Sequence, residues 1–331
     1  MRWNALALSA ALVGVLGLVG CGAAVDSSAD ARETRAEAAY PPQGRFIDVG
    51  GGRKVHAVVT GRGPDLVLIH GASGNTRDFT FSFVDKVKDR YRVIVFDRPG
   101  LGYTDRASPR YGGPSNTAAE SPAEQARMLQ AAAARLGADR PIVLGQSYGG
   151  AVALAWALER PDNLSGLVIV SGATNPWEGG LAPIYPLFAS GLGGAAIVPL
   201  ISAYASSDRA QASIRAIFAP QRAPAGYAEY VGIELALRRE TLRANARQVN
   251  GLRPHLVEMS KRYGEISVPT EIIHGEADRI VGIEIHSVPL SQQIPRANFV
   301  RLPGVGHMPH QVAQPQVIAA IDRAARRAGL R

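Results

Sequence analysis

Six short runs of almost unbroken apolar residues limit what this chain can become. They are Asp65 to His70, Arg92 to Phe96, Pro141 to Leu144, Leu164 to Val170, Thr270 to Ile273 and Asn298 to Leu302. Runs of this length without polar alternation are expected of strands buried on both faces, which is the situation inside a mostly parallel sheet. Helical patterns separate them. Ser121-Pro122-Ala123-Glu124 combines an N-cap serine, a proline at the first helical position and a glutamate three residues on, and Gly137 supplies a stop for the helix between. From Gly150 to Arg160 the apolar residues face every side, so that helix belongs beneath other elements, against the sheet. Strands alternating with helices predict an α/β layer sandwich with right-handed connections. Before the first buried run, Arg45 to Val49 and Lys54 to Thr60 flank Gly50-Gly51-Gly52 and read as a β-hairpin.

The alternation fails over residues 175–263, which carry helical patches, several prolines and no buried strand. We read them as a helical cap inserted between two core segments, 45–174 and 264–331. Leu181 to Ser207 has no charge for 27 residues, long enough to raise a membrane span. Pro183, Pro186 and Pro199 with Gly191, Gly193 and Gly194 argue instead for short broken helices.

The N-terminus is a different material. Arg2 is followed by Ala5 to Gly20 without a charge, the pattern of an export signal and short for a bilayer span. Residues 1–20 are therefore expected to be a signal peptide. Leu18-Val19-Gly20-Cys21 resembles the lipobox of bacterial lipoproteins, which implies cleavage before Cys21 and its lipidation. Cys21 is the single cysteine, so no internal disulfide is available to it. Residues 21–44 then read as a lipidated cysteine and a flexible tether holding an exported domain to the cell envelope, facing the periplasm or the exterior.

Gly145-Gln146-Ser147-Tyr148-Gly149 has the form G-x-S-x-G. It follows one buried run and precedes the all-apolar helix, the strand, sharp turn, helix setting of a nucleophilic serine. A serine hydroxyl needs a base within reach. Of seven histidines, His307 comes after the last run on the loop Pro303-Gly304-Val305-Gly306, and His310 is its nearest rival. An acid is expected after the preceding run, where Asp278 is favoured over Glu276. Two oxyanion donors are expected, the backbone N–H of Tyr148 and that of Ala72 in His70-Gly71-Ala72-Ser73-Gly74. His70 reads as a brace for that loop.

Together with Asp97-Arg98-Pro99-Gly100, His274-Gly275-Glu276-Ala277-Asp278 and Gly306-His307, these motifs make the chain from about Arg45 to Leu330 resemble the α/β-hydrolase superfamily. The resemblance implies a cofactor-free serine hydrolase. Haloalkane dehalogenases and epoxide hydrolases of this fold carry aspartate where this chain has Ser147, so acyl transfer is the implied chemistry. The expected substrate is a small-molecule carboxylic ester, with Trp177, Tyr185 and Phe188 lining an apolar acyl pocket. Carbon–carbon hydrolysis of ring-fission diketones by the same triad is the alternative, and a non-catalytic binding protein on this scaffold is a third.

Other classes fit poorly. The net charge of +8 comes from scattered arginines without basic runs or interleaved aromatics, which argues against nucleic acid and suits an anionic lipid surface. His307 and His310 form H-x-x-H without a third ligand, so no metal is expected. The glycines around Gly100 and Gly102 do not make a dinucleotide fingerprint.

Overall fold

The computed structural model describes residues 22–331, so the expected signal peptide and Cys21 lie outside the described residues. Eight strands form one sheet: β1 (Arg45–Asp48), β2 (Lys54–Gly61), β3 (Asp65–Ile69), β4 (Arg92–Phe96), β5 (Ile142–Gln146), β6 (Gly166–Val170), β7 (Thr270–Gly275) and β8 (Ala297–Leu302). Their order is β1-β2-β4-β3-β5-β6-β7-β8. The hairpin strand β1 is antiparallel to β2, and β2 is antiparallel to β4. Every later pairing is parallel.

All six apolar runs became strands. Alternate residues within them face opposite layers. Val67, Ile69, Ile94, Val143 and Ile169 pack with the helices Pro122–Arg135 and Tyr148–Glu159. Leu66, Leu68, Val93, Leu144 and Val168 pack with Phe79, Phe83 and the C-terminal helix Gln314–Arg327. One expectation needs correcting: β8 closes the sheet at its edge and is half exposed, not buried on both faces. The capping box at Ser121 is formed, with Ser121 Oγ accepting from Glu124 N and Glu124 accepting from Ser121 N.

Residues 175–263 are helical, with Ser207–Phe218, Arg239–Asn250 and Leu252–Ser260 as the longer pieces, and no strand lies among them. A second correction concerns residues 22–39, which form a helix rather than a flexible tether. The segment is rich in alanine, the best helix former. Ala29 and Ala36, seven residues apart, are buried on one side of it, and Glu33 and Glu37 reach Arg239 and Arg238 of the cap. Among the described residues no helix is long and apolar enough to cross a membrane.

Candidate active site

The strand order reverses at β3 and β5, which neighbour each other while their chains leave toward opposite edges. In open parallel sheets that point, beyond the strand ends, is where ligands bind. Ser147 sits there, directly after β5 and at the start of the helix Tyr148–Glu159, with φ 54° and ψ −121°. A left-handed φ on a non-glycine residue is strained backbone, and the surroundings hold it in place. A Cβ on Gly149 would lie 2.3 Å from the carbonyl oxygen of Ile69, and one on Gly145 would lie 2.1 Å from that of Gly149. Only glycine lets helix, turn and strand approach so closely.

The loop after β3 passes over the same serine, since a Cβ on Gly71 would meet Ser147 Cβ at 2.9 Å. Among the described residues the N–H groups of Ala72 and Tyr148 donate to no protein acceptor, as two oxyanion donors require. His70 braces this loop. Its Nε2 accepts from Arg98 N at 3.0 Å, so Nδ1 carries the proton and donates to Gly71 O at 2.9 Å. Burial, with the Arg98 charge adding to it, pushes the His70 pKa down to about 4, so the ring is neutral and is not a base for Ser147.

His307 and Asp278 come together as expected. His307 Nδ1 donates to Asp278 Oδ2 at 2.7 Å, which leaves Nε2 free to accept. Burial alone would raise the Asp278 pKa, but hydrogen bonds from His274 and His307 hold it below the ordinary carboxylate range. Asp278 Oδ1 also accepts from the backbone N–H of Ile280 and Val281. Asp278 is thus an anion fixed behind the imidazole. Glu276, the rival acid, pairs with Arg301 at the surface, and His310, the rival base, is turned to Asp78 at 3.0 Å. Ser147 Oγ has no hydrogen-bond partner among the described residues; His307 Nε2 instead lies 3.4 Å from the Gln146 amide nitrogen. Catalytic hydrogen bonds in ligand-free sites are often open in this way and close around substrate.

Three neighbours had no role in the sequence reading. His274 Nε2 lies 3.1 Å from Asp278 Oδ2 and 2.8 Å from Val281 O, with Ser287 Oγ at 2.6 Å from its Nδ1. Gln146 donates to the His307 carbonyl at 3.2 Å, tying elbow to histidine loop. Asp78 receives Tyr227 OH at 2.8 Å, joining cap to core. The His-Gly-Glu-Ala-Asp spacing, which sets His274 four residues before Asp278, was the one available signal.

A cavity of about 140 Å³ opens at Ser147 and His307, walled by Ile214, Ile217, Val231, Ile233 and Met308. The predicted acyl-pocket residues do not line it. Trp177 and Tyr185 pack against the main core, and Phe188 is buried with Ala189, Val198 and Ala246. The pocket wall comes from later in the cap, from the helix Ser207–Phe218 and equally from Tyr227, Val231 and Ile233. No cluster of metal-ligating side chains occurs among the described residues.

Residues 64–313 match the family model described as the alpha/beta hydrolase fold. Among curated proteins the chain is 28% identical over 299 residues to polyketide synthase ThaQ of Burkholderia thailandensis, covering 86% of this chain and 13% of the synthase. It is 33% identical over 131 residues to haloalkane dehalogenase 2 of Mycobacterium tuberculosis, 39% of this chain and 42% of that protein. The chain therefore spans less than half the length of each of these two relatives. Among solved structures it is similar to a putative lipase from Acinetobacter baumannii, with 19% identity, 91% of this chain and 96% of that one covered, and TM-score 0.69. It is also similar to a 2-hydroxy-6-oxo-6-phenylhexa-2,4-dienoate hydrolase from Rhodococcus, with 18% identity, 84% and 97% covered, and TM-score 0.67. At these identities the two structures speak to the fold.

Proposed function

The chain belongs to the α/β-hydrolase family, and on that premise we propose that it is a serine hydrolase of carboxylic esters with an apolar acyl group. The observation that carries the reading is Ser147 on its strained elbow, lining one largely apolar cavity with His307, which Asp278 holds. His307 Nε2 takes the Ser147 proton as Oγ attacks the ester carbonyl, and Asp278 stabilises the imidazolium. The Ala72 and Tyr148 N–H groups hold the oxyanion. His307 returns the proton to the leaving alkoxide, and water then repeats the sequence on the acyl-enzyme. With the cap as it stands the cavity takes a group about the size of benzene, so a longer acyl chain requires the cap to move.

The same triad suits carbon–carbon hydrolysis, and one relative's structure bears the name of a dienoate hydrolase. A dienoate carries a carboxylate. Among the pocket-lining residues there is no lysine or arginine to receive it, while Asp78 lies in the wall with its pKa held down: burial raises it, and the His310 contact more than offsets that. An anionic substrate would meet an anion there, and this favours the ester. The decisive experiment compares p-nitrophenyl butyrate with a dienoate ring-fission product. Ester turnover, and fluorophosphonate labelling lost in Ser147→Ala, are expected; dienoate turnover alone would remove the ester reading. Ser147→Ala is expected to lower kcat by about 10⁴-fold to 10⁶-fold. An unlabelled wild type would favour a binding protein.

The lipidated Cys21 and the export signal before it belong to the same proposal: an enzyme held at the cell envelope, working on esters near a membrane. Cys21→Ser is expected to turn stable membrane association into weak association that washing reverses, read by fractionation before and after a wash.

A further inference from the structure

Large apolar side chains left in water are unevenly placed on this molecule. Nine are exposed among the described residues, and five of them, Ile184, Leu187, Leu192, Leu200 and Tyr204, fall within the uncharged stretch Leu181 to Ser207. This stretch was expected to turn inward and line the acyl pocket, and it does the opposite. In the helix Ile184–Ala189 the buried side carries Phe188 and Ala189, while Ile184 and Leu187, three residues apart, point outward. In the helix Val198–Tyr204 the buried side carries Val198 and Ser202, while Leu200 and Tyr204, four apart, point outward. The buried sides of both rest on one support, the helix Arg239–Asn250, through Ala246 and Leu242. Their other sides both turn away from that support, and Leu192, 79% exposed, lies in the helical segment that joins them.

We infer that this cap face docks onto a lipid bilayer. What singles out lipid is where the described chain begins. Tyr204 OH lies 3.5 Å from Ser28 Oγ, and Ser202 Oγ donates to Glu33 at 3.2 Å, so the helix of residues 22–39 runs beside the exposed face. At 1.5 Å per residue, residue 22 lies about 9 Å along that helix from Ser28. The described chain thus begins, at residue 22, beside the edge where the apolar face is bare, and the residue before it is Cys21, the lipidation site of the proposal above. A bilayer that takes up acyl chains on Cys21 is presented with this face, and in this the inference rests on that anchor. Apolar area buried among acyl chains supplies the affinity, and the net charge of +8 adds attraction to anionic headgroups. A soluble protein partner would need no such neighbouring anchor.

The consequence reaches the active site. Ser206 caps the helix Ser207–Phe218 immediately after Tyr204, and that helix carries Ile214 and Ile217 to the Ser147 cavity. The docked face and the pocket wall are consecutive helices of one chain, so seating on lipid bears on the wall through which an acyl chain must enter. In this respect the inference rests on the ester-hydrolase reading, while the docking itself does not.

The test uses the full chain with Cys21→Ser, carrying Leu192→Cys or, as control, Arg45→Cys on edge strand β1, labelled with an environment-sensitive fluorophore. The protein is mixed with phosphatidylglycerol-containing vesicles bearing a spin-labelled lipid. The Leu192 probe is expected to shift to the blue and to be quenched several-fold more strongly than the Arg45 probe. Adding Leu187→Glu is expected to weaken vesicle partitioning about tenfold, the factor for losing one aliphatic side chain from lipid. A Leu192 probe no more quenched than the control overturns the inference. So does a blue shift that needs no vesicles and grows with protein concentration, which would mark a second copy as the occupant. Turnover of p-nitrophenyl butyrate by the same labelled proteins keeps the two readings apart. Quenching without turnover supports docking and removes only the ester reading; turnover without quenching overturns docking alone.

Discussion

The two sides of the active site are built by different means. On the core side, geometry is set by backbone against backbone: Gly145, Gly149 and Gly275 each leave no room for a Cβ, whose nearest neighbours would be carbonyl oxygens at 2.1, 2.3 and 2.2 Å. On the cap side, side-chain hydrogen bonds do most of the joining, with one close backbone approach, of Gly306 to the Ala219 carbonyl. Ser73 N donates to Asn245 at 2.7 Å, Asn75 donates to Val231 O at 2.9 Å, and Tyr227 donates to Asp78 at 2.8 Å. The difference teaches where each property of the enzyme resides. The reaction centre cannot shift without breaking the sheet, whereas the pocket wall is held by side-chain hydrogen bonds and side-chain packing, which can be re-shaped around a substrate.

The sharpest way to break the comparison is to place a methyl on the core side. Gly149→Ala drives a carbon into the Ile69 carbonyl of a central strand, so we expect no folded protein or a loss of roughly 3 kcal/mol or more, read by urea unfolding. Acid should act next most strongly, again on the core. His70 and His286 are buried, and desolvation first, then the Arg98 charge for His70 and the His274 charge for His286, lowers each pKa to about 4. The unfolded chain binds these protons near the ordinary value of 6.5, so their stabilisation is complete above that pH and is lost as pH falls toward 4, at most about 3 kcal/mol each. Asp97 and Asp278 have lowered pKa values, so their contribution persists above 3.8 and disappears only below it. A two-stage loss of urea midpoint is expected, and His286→Asn should roughly halve the upper stage, leaving the His70 share, with the lower one intact.

The contrast also explains what could be read from the sequence. Core features were legible because backbone proximity writes glycine into the chain and burial on both faces writes unbroken apolar runs. The placement of Ser147, Asp278 and His307 after β5, β7 and β8 was legible from those runs together with the G-x-S-x-G motif and the order serine, acid, histidine. Strand order and the edge position of β8 did not, because a run that is apolar over five residues looks the same at the edge as in the centre. The pocket wall was misassigned for a related reason: apolar character in Leu181 to Ser207 says that the residues avoid charge, not which way they point. Trp177 and Phe188 went into packing, and the wall came from Ile214 and Ile217, whose helix also carries Asp208, Arg209 and Arg215 and so drew no attention. The helix of residues 22–39 was missed because its contact face is made of alanines rather than large apolar side chains.

On the cap side, Asn245→Ala tests whether one tether reaches the chemistry. Ser73 stands at φ 55°, and its N–H to Asn245 holds the loop that presents the Ala72 N–H. Without that acceptor the loop can relax, and an oxyanion donor loses alignment. We expect kcat to fall about tenfold, equivalent to one modest hydrogen bond, with KM for a short ester nearly unchanged. Equal loss in kcat and stability would instead mark Asn245 as a packing residue.

The smallest effect is expected where the N-terminal helix meets the cap. Arg239 is shared by Asp26, Asp30 and Glu33, and two of these carboxylates are more than half exposed. Pairs so exposed contribute little, under about 1 kcal/mol, because water and salt screen them. Yet Arg239 N also donates to Glu33 at 2.8 Å, at the start of the helix Arg239–Asn250, where a carboxylate satisfies a backbone donor that has no partner within the helix. Arg239→Gln removes the side-chain cation and keeps that backbone bond. It leaves three acids along one helix face without their counter-charge, so hydrogen exchange over residues 22–39 should quicken at low salt and return toward wild type as salt is raised. Tm should drop by no more than about 3 °C and kcat should not change. Faster exchange that salt leaves untouched would mean that Ala29 and Ala36, not the charges, hold this helix to the cap.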